Sequence, residues 1–111
     1  MIKLDKISTR APENVREKDI KEETQELVSR LGDLQQRMYA EKKHAVLVVL
    51  QGMDGSGKDG AAHKVFDQCH ITGLTYHAFK KPTEEEFAHD FLWRVHKVAP
   101  EKGMIGIFNR S

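Results

Sequence analysis

Apolar positions between residues 19 and 43 recur at helical spacing. Ile20, Leu27, Leu31, Leu34 and Met38 step by seven, four, three and four, which lines one face of an amphipathic helix. Asp19 with Glu22 three residues later reads as its start, and Gly32 weakens its middle by roughly 1 kcal/mol relative to Ala. Residues 1–14 are polar, charged and irregular, so 1–43 reads as a lead-in followed by this helix. Ala45 to Leu50 is an unbroken, β-branched run, the pattern of a strand buried on both faces in a parallel sheet.

Further on, Gly52 to Gly60 predicts a loop, with a helix from Lys58 to about Gln68 and a second strand over Leu74 to Phe79. Thr83-Glu84-Glu85-Glu86 is a capping box, opening a helix that turns Phe87, Phe91, Leu92, Val95 and Val98 inward and stops before Pro100. Met104 to Phe108 is a third strand. Helix, β, α, β, α, β predicts an α/β fold: a P-loop kinase-like parallel sheet with flanking helices, preceded by the N-terminal helix. The chain stops after that strand, which would then be an exposed edge. The expectation is that 44–111 is the N-terminal part of a larger domain, truncated after its third strand.

Composition narrows the chemistry. The 111 residues hold one ordinary domain at most, and 18 basic against 17 acidic side chains leave a net charge of +1. That balance lacks the broad basic field of a general nucleic-acid binder, so any anion site must be local. Cys69 is the lone cysteine, which excludes an intrachain disulfide and a cysteine-rich metal site. The longest apolar run is too short to span a membrane, and the expected location is cytoplasmic.

Gly52-Met-Asp-Gly-Ser-Gly57-Lys58 has the spacing of a phosphate loop, between a strand and a helix. Glycines allow the positive φ that brings backbone N–H groups toward one point, the following helix adds its positive end, and the lysine adds a mobile full charge. Gly52, Gly55, Gly57, Lys58, Asp59 and Gly60 are therefore the expected phosphate ligands. Asp59 replaces the usual Ser or Thr after the lysine, and Asp54 is an extra carboxylate in the loop. Both would repel phosphate unless Mg²⁺ lies between; Asp59 has helix capping as an alternative. Lys80 and Lys81 end the second strand and Arg110 the third, so parallel strands would bring them to the same rim as Lys58, where Lys80 and Lys81 are further expected phosphate ligands. His89 and His96 share a helix face without a third metal ligand, and Trp93 reads as core.

The stretches Leu47 to Gly60, Phe79-Lys-Lys-Pro-Thr83, His89 to His96 and Ile105-Gly-Ile-Phe-Asn-Arg-Ser111 together closely resemble the second family of polyphosphate kinases. The resemblance extends back to about Leu27. It implies an Mg²⁺-dependent P-loop phosphotransferase that moves a terminal phosphate between inorganic polyphosphate and a nucleotide, ADP/AMP or GDP/GMP, working as a homo-oligomer with neither nucleic acid nor membrane as partner. Asp54, Lys58 and Arg110 would be catalytic, and Asp54 with Asn109 would meet the metal. Some members carry Asp where this chain has Asn109. The subgroup with Asn there, which this chain is similar to, has a Tyr-Glu-Asp stretch just beyond these motifs, and the family has a helical lid, so the 111 residues alone are expected to be inactive. Two other readings are an ATP-dependent nucleoside monophosphate kinase, disfavoured by Asp59 and the Phe-Asn-Arg-Ser motif, and a non-catalytic remnant that oligomerises through its N-terminal helix.

Overall fold

A computed structural model describes residues 2–110; Ser111 of the last motif lies outside the described residues. Its elements are helix α1 (Glu17–Glu41), strand β1 (Val46–Leu50), helix α2 (Lys58–Val65), strand β2 (Leu74–Ala78), the single-turn helices α3 (Glu84–Phe87) and α4 (Trp93–His96), and strand β3 (Ile105–Asn109). The sheet is parallel with order β1-β3-β2. The α/β class, the parallel sheet and the N-terminal helix are as the sequence predicts.

Strand order corrects two expectations. The third strand is the centre of the sheet, and every residue of it is buried. β1, expected to be covered on both faces, is an edge, with Val46, Leu47 and Val49 more than two-fifths exposed. The apolar run records the strand's preference for burial and says nothing about its neighbours.

One sheet face carries Val48, Leu50, Leu74, Ile105 and Ile107, packed with Ala62 and Phe66 from α2 and its flank and Met38 from α1. On the other face the rings of Phe79 and Phe108 meet edge to face at 4.9 Å. Pro100 lies against Gly106 there; a Cβ on Gly106 would sit 3.0 Å from the proline ring.

α1 begins at Glu17, capped by Arg16 without a side-chain bond, rather than at Asp19. Its docked face also differs from the predicted stripe. Val28, Gly32 and Gln35 are buried, whereas Leu27 is 56% and Leu34 51% exposed. Gln35 explains the rotation: its Oε1 accepts the His70 N–H at 3.1 Å and its Nε2 donates to the His70 carbonyl at 3.2 Å. Gly32 lets the helix close in, since a Cβ there would lie 2.6 Å from the Gln68 carbonyl oxygen. Gly32→Ala, which favours an isolated helix, is therefore expected to lower stability here by about 1–3 kcal/mol, because the clash with backbone exceeds the propensity gain. Thermal melting checks the sign.

The capping box forms one of its two arms. Thr83 Oγ1 accepts the Glu86 N–H at 3.2 Å, while the Glu86 carboxylate turns instead to Arg94 at 2.9 Å. The predicted single helix breaks between Phe87 and Trp93, where Asp90 accepts the Leu92 N–H at 3.1 Å. An Asp that bonds its own backbone two residues on favours a turn over a helix. Phe87, Phe91 and Leu92, expected inward, are exposed as a result.

Candidate functional site

The register sets Leu50, Asn109 and Ala78 side by side at the carboxyl ends of the three strands. From that rim emerge the glycine loop, Arg110 and the Phe79–Lys81 segment. Gly55 (φ 76°) and Gly57 (φ 88°) use the left-handed backbone region, which the loop needs and glycine supplies without strain. Gly52 faces Ser56 so closely that a Cβ would lie 2.6 Å from its Oγ. α2 starts at Lys58, so its open N–H groups and positive end adjoin the loop.

Lys58 Nζ curls over the loop, donating to the Gly52 and Met53 carbonyls, each at 2.8 Å, and to Ser56 Oγ at 3.3 Å. Asp54 and Arg110 form an ion pair across the loop. Arg110 itself has φ 70°, and its N–H donates to the Leu50 carbonyl at 2.9 Å. A non-glycine residue held in that region is strained, a feature that clusters at functional sites. One cavity of about 270 Å³ is lined by Asp54, Gly55, Ser56, Gly57, Lys58, Asp59, Gly60, Asn109 and Arg110.

The structure thus brings together the loop residues, Asn109 and Arg110. Lys80 and Lys81 share the rim but line a separate cavity with Phe79, Trp93 and Arg94. In the wall of that cavity Arg94 donates to the Lys80 carbonyl at 2.8 Å, pairs with Glu86, and lies over the Phe79 ring. Asp59 makes no helix cap. Its Oδ1 accepts from Tyr76 Oη and Asn109 Nδ2. Tyr76 escaped sequence reasoning, because a tyrosine in a half-exposed strand looks like any other; only the register places it beside Asn109.

Of the two helix histidines, His89 behaves as a packing group and His96 is exposed. His89 stacks on Trp93 at 3.8 Å, with Lys97 over the same indole, which leaves that ring partly exposed rather than in the core. Among the described residues no group of three or more His, Cys, Asp or Glu is placed to hold a metal by itself. Among them, too, no helix is long and apolar enough to cross a membrane. Cys69 lines the cavity between α2 and β2, and burial pushes its thiol pKa up. Its thiolate fraction at pH 8 is therefore below that of a free cysteine. Iodoacetamide at that pH is expected to alkylate it more slowly than glutathione, followed by intact mass.

An α/β sheet carrying a glycine loop, a lysine at the start of the next helix and an arginine on the adjacent strand end gathers positive charge and open backbone N–H groups at one rim, an arrangement able to meet an anion. Comparison with known proteins places it further. Residues 14–111 match the family described as Polyphosphate kinase 2 (PPK2), and the chain belongs to that family. It is 54% identical over 82 residues to the AMP/ADP-polyphosphate phosphotransferase of Meiothermus ruber, covering 74% of this chain and 31% of that protein. It is 49% identical over 84 residues to the ADP-polyphosphate phosphotransferase of Rhodopseudomonas palustris, covering 76% and 29%. The crystal structure of polyphosphate kinase 2 from Arthrobacter aurescens superposes with a TM-score of 0.88 at 35% identity, covering 99% of this chain and 42% of that one. The chain spans about a third of the length of these curated relatives.

Proposed function

We propose that these residues supply the phosphate-holding part of a kinase that moves a terminal phosphate between inorganic polyphosphate and a nucleoside mono- or diphosphate. The observation that carries this reading is the single cavity shared by Lys58, Asp54 and Arg110 at the start of α2, in a chain of this family. Phosphoryl transfer needs positioning and charge stabilisation more than covalent chemistry. The loop N–H groups and Lys58 hold the phosphates. Lys58 exchanges its loop carbonyls for phosphate oxygens when substrate enters, and Arg110 leaves Asp54 to meet the charge on the transferred group.

The donor set suits Mg²⁺. Asp54 offers a carboxylate, and Asn109 Oδ1 is a buried acceptor without a protein partner. A hard cation completes such a sparse set with phosphate oxygens and water. When bound, Mg²⁺ would neutralise phosphate charge and shield Asp54 from it. AMP, ADP, GMP and GDP are the acceptors to try.

The test joins this chain to the remainder of the Meiothermus ruber relative and supplies polyphosphate or ATP as donor. Transfer from polyphosphate supports the reading. Transfer from ATP alone would replace it with a nucleoside monophosphate kinase.

A further inference from the structure

Asp59 stands where a phosphate loop ordinarily carries the Ser or Thr that meets Mg²⁺. Here its Oδ1 accepts from Tyr76 Oη at 3.1 Å and from Asn109 Nδ2 at 2.5 Å. Asn109 Nδ2 also donates to Tyr76 Oη at 2.7 Å. Both amide protons of Asn109 are thereby used. An ionised carboxylate only accepts, so the amide has one workable orientation, nitrogen toward Asp59 and oxygen away. Asn109 is only 8% exposed, and its Oδ1 is the buried side-chain atom without a partner among the described residues. A native structure leaves such an acceptor unpaired at a cost, unless something outside the protein uses it.

We infer that Asp59, Tyr76 and Asn109 form one orienting unit. Asp59 and Tyr76 are positioning residues that hold Asn109 Oδ1 as an acceptor for the hydrated divalent cation accompanying the phosphates. This rests on the phosphotransfer reading above. Asp59 then acts through Asn109 and is not itself a metal ligand. The unit also explains why asparagine stands at 109. A carboxylate there would set two acceptors face to face across the distance of the present bond, with no N–H between them. Asp59 and Asn109 are thus a matched pair: exchanging both keeps one donor, one acceptor and one charge, whereas exchanging one does not.

The test measures Mn²⁺ affinity by electron paramagnetic resonance in the 111-residue chain with tripolyphosphate present. Tyr76→Phe and Asp59→Asn are each expected to weaken Mn²⁺ binding about 10-fold, the usual cost of removing a partner that orients a ligand. Asn109→Asp alone sets two carboxylates face to face, whereas the double exchange Asp59→Asn with Asn109→Asp restores the donor-to-acceptor contact with the same charged oxygen at 109. The double exchange is therefore expected to bind Mn²⁺ about 10-fold more tightly than Asn109→Asp alone, showing the non-additivity of coupled residues. Tyr76→Phe removes one hydroxyl from an exposed ring and keeps the test open where the Asp59 variant fails to fold. Unchanged affinity in Tyr76→Phe, or a double exchange no tighter than Asn109→Asp alone, overturns the unit. Transfer by the unsubstituted, extended protein is assayed in parallel. Its absence with the Mn²⁺ shifts intact would overturn the phosphotransfer reading alone, and its presence without those shifts would overturn the orienting unit alone.

Discussion

In the protein extended with the remainder of the Meiothermus ruber relative, Lys58→Ala is expected to lower phosphate transfer from polyphosphate by about 10²–10³-fold, the scale of losing one preorganised charge donor at a transferring group. The fold should survive. The lysine's three bonds run to the loop's own carbonyls and to Ser56, all on the exposed rim. None reaches the Ala62–Ile105–Ile107 core. Losing exposed bonds of that kind shifts melting by no more than about 5 °C in a chain of this size. The informative measurement is the pair, turnover and melting, on the same preparation. Retained turnover would show that Lys58 only closes the loop. A collapsed melting curve would show that the closed loop is part of the folding unit.

How far the sequence reaches depends on the range of the cause. The glycine loop was legible because its constraint is local: Gly55 and Gly57 need positive φ, and the pattern prints that need directly. The parallel α/β class followed from element order. Strand order did not, because β3 enters between β1 and β2 through contacts that no local pattern encodes. That order turns the expected edge into the buried centre. The docking face of α1 failed for a related reason. Hydrophobic spacing favours Leu27 and Leu34, but a Gln35 amide satisfying both backbone groups of His70, with Gly32 permitting close approach, outweighs two leucines that have no surface to meet. Lys58, Asp54, Asn109 and Arg110, which line one cavity of the candidate site, were picked out by motif. Their partners were not: the Asp54–Arg110 pair spans 56 positions of sequence, and the role of Tyr76 exists only in the assembled sheet. Lys80 and Lys81 lie on the predicted rim yet line another cavity, since a shared strand end fixes the edge and not the direction of a long side chain.

Asp54→Asn is the second large effect, and it separates the two acidic residues of the loop. Asp54 is 84% exposed at its side chain and has one partner, Arg110, which a phosphate would compete for. Its carboxylate is free to turn to a cation once that partner leaves. Asp59 is committed twice, to Tyr76 and to Asn109. Removing a direct, charged ligand should raise the Mg²⁺ concentration for half-maximal transfer by about 100-fold, because affinity for a hard cation follows the count of charged oxygen ligands. Asp59→Asn, acting through the orientation of Asn109, should raise it about 10-fold. Asp54→Asn also frees Arg110, so substrate affinity should not fall in step; the loss belongs in the Mg²⁺ dependence and in turnover more than in KM for polyphosphate. Titrating Mg²⁺ against rate at saturating polyphosphate reads the order directly. If Asp59→Asn proves the more damaging, the cation sits at the start of α2, on Asp59 itself, and the Tyr76–Asn109 contact is only the mould that shapes that carboxylate.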